Sequence, residues 1–128
     1  MNIEDLEKKL DRGEEWGFRK VVDNSDYLGW VLLAKRKPPI VFPKETYETE
    51  ETYISLREWS EKLKRTPYHI LVLELKREVH ESGDYEDNDD YRQRESYYLS
   101  TLQEVEEFIE NLGYSLQNIQ FSGDIDPP

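Results

Sequence analysis

The sequence predicts an α+β fold: a single-domain two-layer sandwich over residues 1–123, with a mainly antiparallel sheet covered by helices in the order α-β-β-α-β-β-α-β. Three observations carry that expectation. Aromatic and β-branched runs come in adjacent pairs, "EWGFRKVVD" with "WVLLAK" and "YHILVLELKREV" with "RESYYLS". Around those pairs lie segments with helical spacing of apolar residues, two of them opened by a Ser/Thr-x-x-Glu cap. A content of 36% hydrophobic and 12% aromatic residues in 128 positions suits one packed core and is unlike that of a disordered chain.

Residues 2–12 form the first expected helix. Ile3, Leu6 and Leu10 make one apolar stripe, Asn2 can cap it and Gly13 can end it. The first strand pair follows, joined by the short polar turn "DNSDYLG" as a hairpin. The three prolines of "KRKPPIVFPKE" keep it out of a sheet interior, so "IVF" is at most an edge strand. Residues 44–52 are expected as a solvated loop.

The second helix is expected to open on a capping box, Ser55 with Glu58, with Ile54 and Trp59 as a hydrophobic staple. Leu56, Trp59 and Leu63 are its stripe, Lys62, Lys64 and Arg65 suit its C-terminal end, and Pro67 stops it. "YHILVLELKREV" is apolar on both sides over residues 70–73, which predicts an interior strand. After residues 81–91, taken as an acidic loop, comes "RESYYLS". The third helix is expected from Thr101, boxed by Glu104, with Val105, Phe108, Ile109 and Leu112 as its buried face and Gly113 behind it. Trp59, Leu63, Phe108, Leu112, Leu71 and Leu73 are expected to be buried together, the sheet being covered on one face. "LQNIQF" is a last short strand, and residues 124–128 are a tail.

The net charge of −12 is regional. Residues 81–90 hold six acids and no base, and residues 97–128 hold six more (Glu104, Glu106, Glu107, Glu110, Asp124, Asp126) and no base; the remaining 17 acids and 17 bases balance. Such a field repels nucleic acid and anionic membrane and attracts basic surfaces. There is no cysteine, which excludes disulfides and thiolate metal sites and accords with a cytoplasmic location. The amphipathic acidic N-terminus is unlike a secretory signal.

Five kinds of chemistry bear on those residues. Asp84, Glu86, Asn88 and Glu95 stand at positions 1, 3, 5 and 12 of an EF-hand-like spacing, but the turn position that needs glycine is Asp89, and the flanks read as strands. A solvated hairpin loop without calcium is therefore expected. Glu74 and Lys76 share one strand face and resemble the acidic-x-Lys strand of PD-(D/E)xK nucleases. There a carboxylate holds a divalent metal and the lysine stabilises charge at the phosphate. No aspartate stands between Asp26 and Asp84 to complete that site, so a cross-strand charge pair is expected. His69 and His80 lie at opposite ends of the long strand without a patterned nucleophile, and the scattered glycines make no phosphate-binding loop. The basic clusters Lys35–Lys37 and Lys62–Arg65 are outweighed by the acidic regions.

The remaining feature is acid with tyrosine. Tyr85 and Tyr91 lie in or beside the acidic loop, Tyr97 and Tyr98 follow it, and Tyr114 ends the acidic helix. Tyrosine offers contact area at low entropy cost, and surrounding carboxylates would steer a basic partner. The expected partner-binding residues are Asp84, Tyr85, Glu86, Asp87, Asp89, Asp90 and Tyr91, with Glu104 and Glu107 on the third helix. In general character this small, acidic, cysteine-free chain resembles immunity proteins, antitoxins and phage-encoded inhibitors that mimic DNA; the resemblance carries over no residue. It implies a non-enzymatic protein-binding inhibitor in the cytoplasm that covers a basic site on a toxin or nuclease, with no cofactor, metal, nucleic acid or membrane partner. The alternatives are a metal-dependent nuclease using Glu74 and Lys76, and a housekeeping regulatory interaction domain.

Overall fold

The computed structural model describes residues 1–83 and 86–128. The described residues have the expected α+β architecture: a five-stranded sheet ordered β4-β3-β2-β1-β5, every neighbouring pair antiparallel, with four helices among them. The strands are β1 (Trp16–Lys20), β2 (Tyr27–Lys35), β3 (Tyr68–Lys76), β4 (Tyr91–Leu99) and β5 (Gln120–Phe121). The helices are α1 (Ile3–Asp11), α2 (Glu50–Arg65), α3 (Arg77–Ser82) and α4 (Leu102–Asn111). No described helix is long and apolar enough to cross a membrane.

As its two-sided apolar pattern predicts, β3 is interior, between β2 and β4. Its even residues Tyr68, Ile70 and Val72 join Phe18, Val31 and Leu33 on the first face, which α1 covers with Leu6 and Leu10 and α4 with Leu102, Val105 and Ile109. Its odd residues Leu71, Leu73 and Leu75 join Leu28 and Trp30 on the second face, with Val79 of α3 and Ile125. Both faces are thus covered. The expectation that α2 and α4 share one buried stripe is corrected. Phe108 packs on the first face while Leu71 and Leu73 lie on the second, and Trp59 and Leu112 remain 37% and 41% exposed. Strand alternation sends adjacent β3 residues to opposite layers, so one pair of helices cannot meet both sets.

Several boundaries move. α2 begins five residues earlier than Ser55: Thr49 is its N-cap, accepting a hydrogen bond from the Thr52 amide at 3.1 Å. Ser55 and Glu58 are interior helix positions, and residues 44–52 hold a 3-10 turn at Lys44–Thr46 and the helix's first turn rather than a loop. Residues 40–42 form no strand. β3 ends at Lys76, and "REV" with the residues after it winds into α3, closed by Gly83 at φ 71°. Only Gln120–Phe121 of the last expected strand pairs, after a 3-10 turn at Leu116–Asn118.

Residues 124–128, expected as a tail, return to the core. Ile125 is 6% exposed, and its carbonyl accepts hydrogen bonds from Trp30 Nε1 at 2.8 Å and from Arg19 at 3.0 Å. The Arg19 guanidinium also lies over the Trp30 ring, 4.7 Å from its centroid. A buried indole N–H needs an acceptor, and the C-terminal segment supplies it.

Candidate functional site

The described residues on either side of positions 84 and 85 are folded. Glu81 and Ser82 close α3, and Asn88–Asp90 forms a 3-10 turn. Asp87 caps that turn: its side chain accepts from the Asp89 amide, while its own amide donates to Asp90 Oδ2, both at 2.9 Å. Asp90 also stands 3.7 Å from Lys76 Nζ. Of the five described acids, Asp87 and Asp90 thus fold the turn and Glu81 pairs with Arg77 at 3.4 Å, which leaves Asp89 and Glu86, the latter accepting only a long 3.5 Å hydrogen bond from the Tyr91 hydroxyl. Tyr91 is half-buried against the second-face cluster, with the Arg94 guanidinium 5.1 Å from its ring. Burial, helped by Glu86 nearby, raises its phenol above the ordinary tyrosine range. It is a strand residue of the core margin, not a free anchor. Asp84 and Tyr85 lie outside the described residues.

Helix α4 opens where its sequence predicts. The Thr101 side chain accepts from the Glu104 amide at 3.1 Å, and Glu104 Oε2 accepts from the Ser100 amide at 3.0 Å. Glu104 is therefore partly spent on the cap. Glu107 and Glu110 are exposed and Glu106 half-exposed. Among the described residues none of these four carboxylates enters an ion pair, and the helix has no base in its last turn. Glu106 and Glu110 are one turn apart, as are Glu107 and Glu110, and Glu110 sits at the negative end of the helix dipole. Both arrangements destabilise a helix.

The loop and this helix do not form one continuous face. Glu104 bonds the residue after β4, whereas Asp90 precedes β4; eight strand steps, roughly 26 Å, separate those ends. From there α4 crosses the first face toward β1, because Tyr114, just past its end, accepts from the Val21 amide at 3.0 Å and stacks on Phe18 at 5.1 Å. The helix thus carries its acids from one corner of the sheet to the diagonal one, while residues 86–90 occupy a third corner.

Asp84, the first residue of the calcium spacing, lies outside the described residues, and the other candidate ligands are engaged elsewhere. No group of three or more potential ligands stands together among the described residues. Asp87 and Asp90 are occupied with the turn, and the Glu95 carboxylate accepts the Tyr97 hydroxyl proton. Glu74 is 6% exposed and bound on both oxygens, by Lys20 on one and by Arg92 on the other, with Arg92 Nε at 2.6 Å. Burial opposes ionisation of Glu74, but bonds from Lys20 and Arg92 outweigh it and hold the carboxyl below its ordinary range. Lys20 reaches Gln93 at 2.5 Å, and Arg92 reaches Asp23 at 3.0 Å. Glu74 is shared between two cations, one of which also pairs with Asp23, and Lys76 turns to Asp90 rather than to a shared substrate position.

His69, legible in the sequence only as a strand-end histidine, is buried at 6% exposure. Its Nδ1 lies 3.2 Å from Arg36, its Nε2 lies 3.0 Å from Ser96 Oγ, and its ring stacks on Tyr98 with centroids 4.9 Å apart. Arginine can only donate, so Nδ1 accepts and Nε2–H donates to Ser96. That is the reverse of the polarity by which a histidine would take a proton from a serine nucleophile. Burial, with the neighbouring Arg36 charge, lowers the imidazole pKa to about 4. Its partners were not legible because they depend on strand register, which places His69 opposite Tyr98 and Ala34. Comparison of the chain with protein-family models, curated proteins and solved structures finds no match.

Proposed function

We propose that this chain is a non-enzymatic acidic protein-binding module acting in the cytoplasm, an inhibitor of the immunity-protein or antitoxin type that covers a basic site on a toxin or nuclease. A protein that mimics DNA is the close variant. The observation that carries the reading is the outer surface of α4. Among the described residues Glu106, Glu107 and Glu110 enter no ion pair, and they repel one another along a short helix, at a cost in stability that a basic partner would reverse. Glu86 and Asp89 add a second negative corner that attracts a cationic protein at longer range without lying in the same contact. Glu74, engaged by Lys20 and Arg92, gives a metal-dependent nuclease no support.

Affinity capture from the producing cell tests this reading. The wild-type protein should retain a protein of high pI at low salt and release it as salt rises. A variant carrying Glu106→Gln, Glu107→Gln and Glu110→Gln should lose it. Equal retention by the variant, or cleavage of DNA or RNA by the purified protein with magnesium or manganese that Glu74→Gln abolishes, would contradict the proposal.

A further inference from the structure

Away from the acidic surface lies a cleft of opposite character that also has apolar walls. A cavity of about 390 Å³ opens between the end of α1, the end of β2 and the C-terminal turn of α2. Its apolar walls are Leu10, Leu63, Pro38 and Pro67, and both leucines are buried, at 1% and 3% exposure. Four cations line it, Lys35, Arg36, Lys37 and Lys64, against one carboxylate, Asp11.

Those four cations are not equivalent. Lys35 is paired with Asp11 at 2.6 Å, and this bond, opposed by burial, raises its pKa. Arg36 is turned to His69 and also faces Glu15, whose carboxyl is raised by burial and pulled back by the Arg36 charge. Lys37 and Lys64 are exposed and take part in no ion pair among the described residues. In a chain of net charge −12, two unpaired ammonium groups at the mouth of an apolar cleft are a local inversion of sign. Lys62 and Arg65 already complement the negative end of α2, so Lys64 is not needed for that purpose.

We propose that this cleft binds a small amphipathic anion, with an apolar body against Leu10, Leu63 and the two prolines and a carboxylate or phosphate between Lys37 and Lys64. The volume is within the range of small-molecule sites, roughly 300–1,000 Å³, and apolar walls with a few convergent charges are their usual chemistry. The site is independent of the acidic surface and does not rest on the inhibitor reading.

Methyl NMR of the full chain titrated with octanoate, octyl phosphate, octanol and inorganic phosphate tests it. Octanoate or octyl phosphate should shift the Leu10 and Leu63 methyls saturably at one site, and the tighter of the two identifies the headgroup. Octanol and inorganic phosphate should bind more weakly than either. The variant Lys37→Gln/Lys64→Gln, which alters only exposed side chains, should weaken the octyl anion roughly fivefold, the loss expected for two exposed ion contacts. The proposal is overturned if octanol binds as tightly as the anions, if the variant binds unchanged, or if the Leu10 and Leu63 methyls do not move. It is also overturned if they move only with protein concentration, which would assign the cleft to the acidic segment of a second copy.

Discussion

His69 and Glu74 show how far single residues could be read. The sequence places Glu74 and Lys76 on one strand face but cannot say that the partners of Glu74 are Lys20 and Arg92. Those meet only through the pairing of β3 with β2 and β4 and of β2 with β1. His69 was legible as a strand residue and not as a buried one, because its ring is satisfied by Arg36 and Ser96 from flanking segments. Its burial has a pH consequence. An unfolded-state imidazole titrates near 6.5, and the folded one is lowered to about 4. Above pH ~6.5 both states are neutral and His69 contributes no pH dependence. As pH falls from there toward about 4, the unfolded chain takes up the proton first and stability is lost. The expected loss at pH ~5 is on the order of 2 kcal/mol, and His69→Gln should remove most of that slope. Chemical denaturation of both proteins at pH 7 and 5 measures it, and an imidazole NMR titration of His69 with a midpoint near 6.5 would contradict it.

At the scale of elements, the signals that succeeded were local and those that failed were positional. Asn2 and Thr101 cap α1 and α4 as their side chains predict, with Gly13 and Gly113 beyond the C-termini at φ 86° and 93°. The same four-residue spacing misplaced α2. Ser55 and Glu58 recur inside the helix, while Thr49 satisfies the first turn without a following Glu at the third position. Nothing local to "SGDIDPP" reveals that Ile125 accepts the Trp30 indole proton, since the two are 95 residues apart. Ile125→Ala should therefore cost about 2–4 kcal/mol, the range of a buried aliphatic truncation rather than of a tail substitution. A loss below ~0.5 kcal/mol in urea unfolding, typical of surface changes, would return the segment to a tail. Helix α4 predicts the opposite sign. Glu110→Gln relieves like-charge neighbours and an unfavourable helix end, and should raise stability by about 0.5 kcal/mol in the free protein. Thermal unfolding with no gain would show that those carboxylates carry no strain for a partner to relieve.

Across the whole molecule, the charge arithmetic of the sequence was legible and its geometry was not. The sequence separates two acidic segments from a balanced remainder, but the fold sets them at different corners of the sheet, because β4 runs between residues 86–90 and the start of α4. The proposed recognition surface is therefore centred on α4, with the 86–90 turn at a distance, rather than built on both at once around Tyr91. Charges that far apart are screened differently by salt: the contact set acts at short range, while the remote set acts mainly within a Debye length of about 8 Å at physiological ionic strength and further at low salt. The most direct measurement is the association rate of the captured basic partner with three proteins at several salt concentrations. These are the wild type, the α4 variant (Glu106→Gln, Glu107→Gln, Glu110→Gln) and the turn variant (Glu86→Gln, Asp89→Asn), which spares the capping residues Asp87 and Asp90. A fall of roughly tenfold is expected for the α4 variant at low salt, with a shallower salt dependence, and a smaller fall for the turn variant. Association by the α4 variant at the wild-type rate and with the wild-type salt dependence would contradict it.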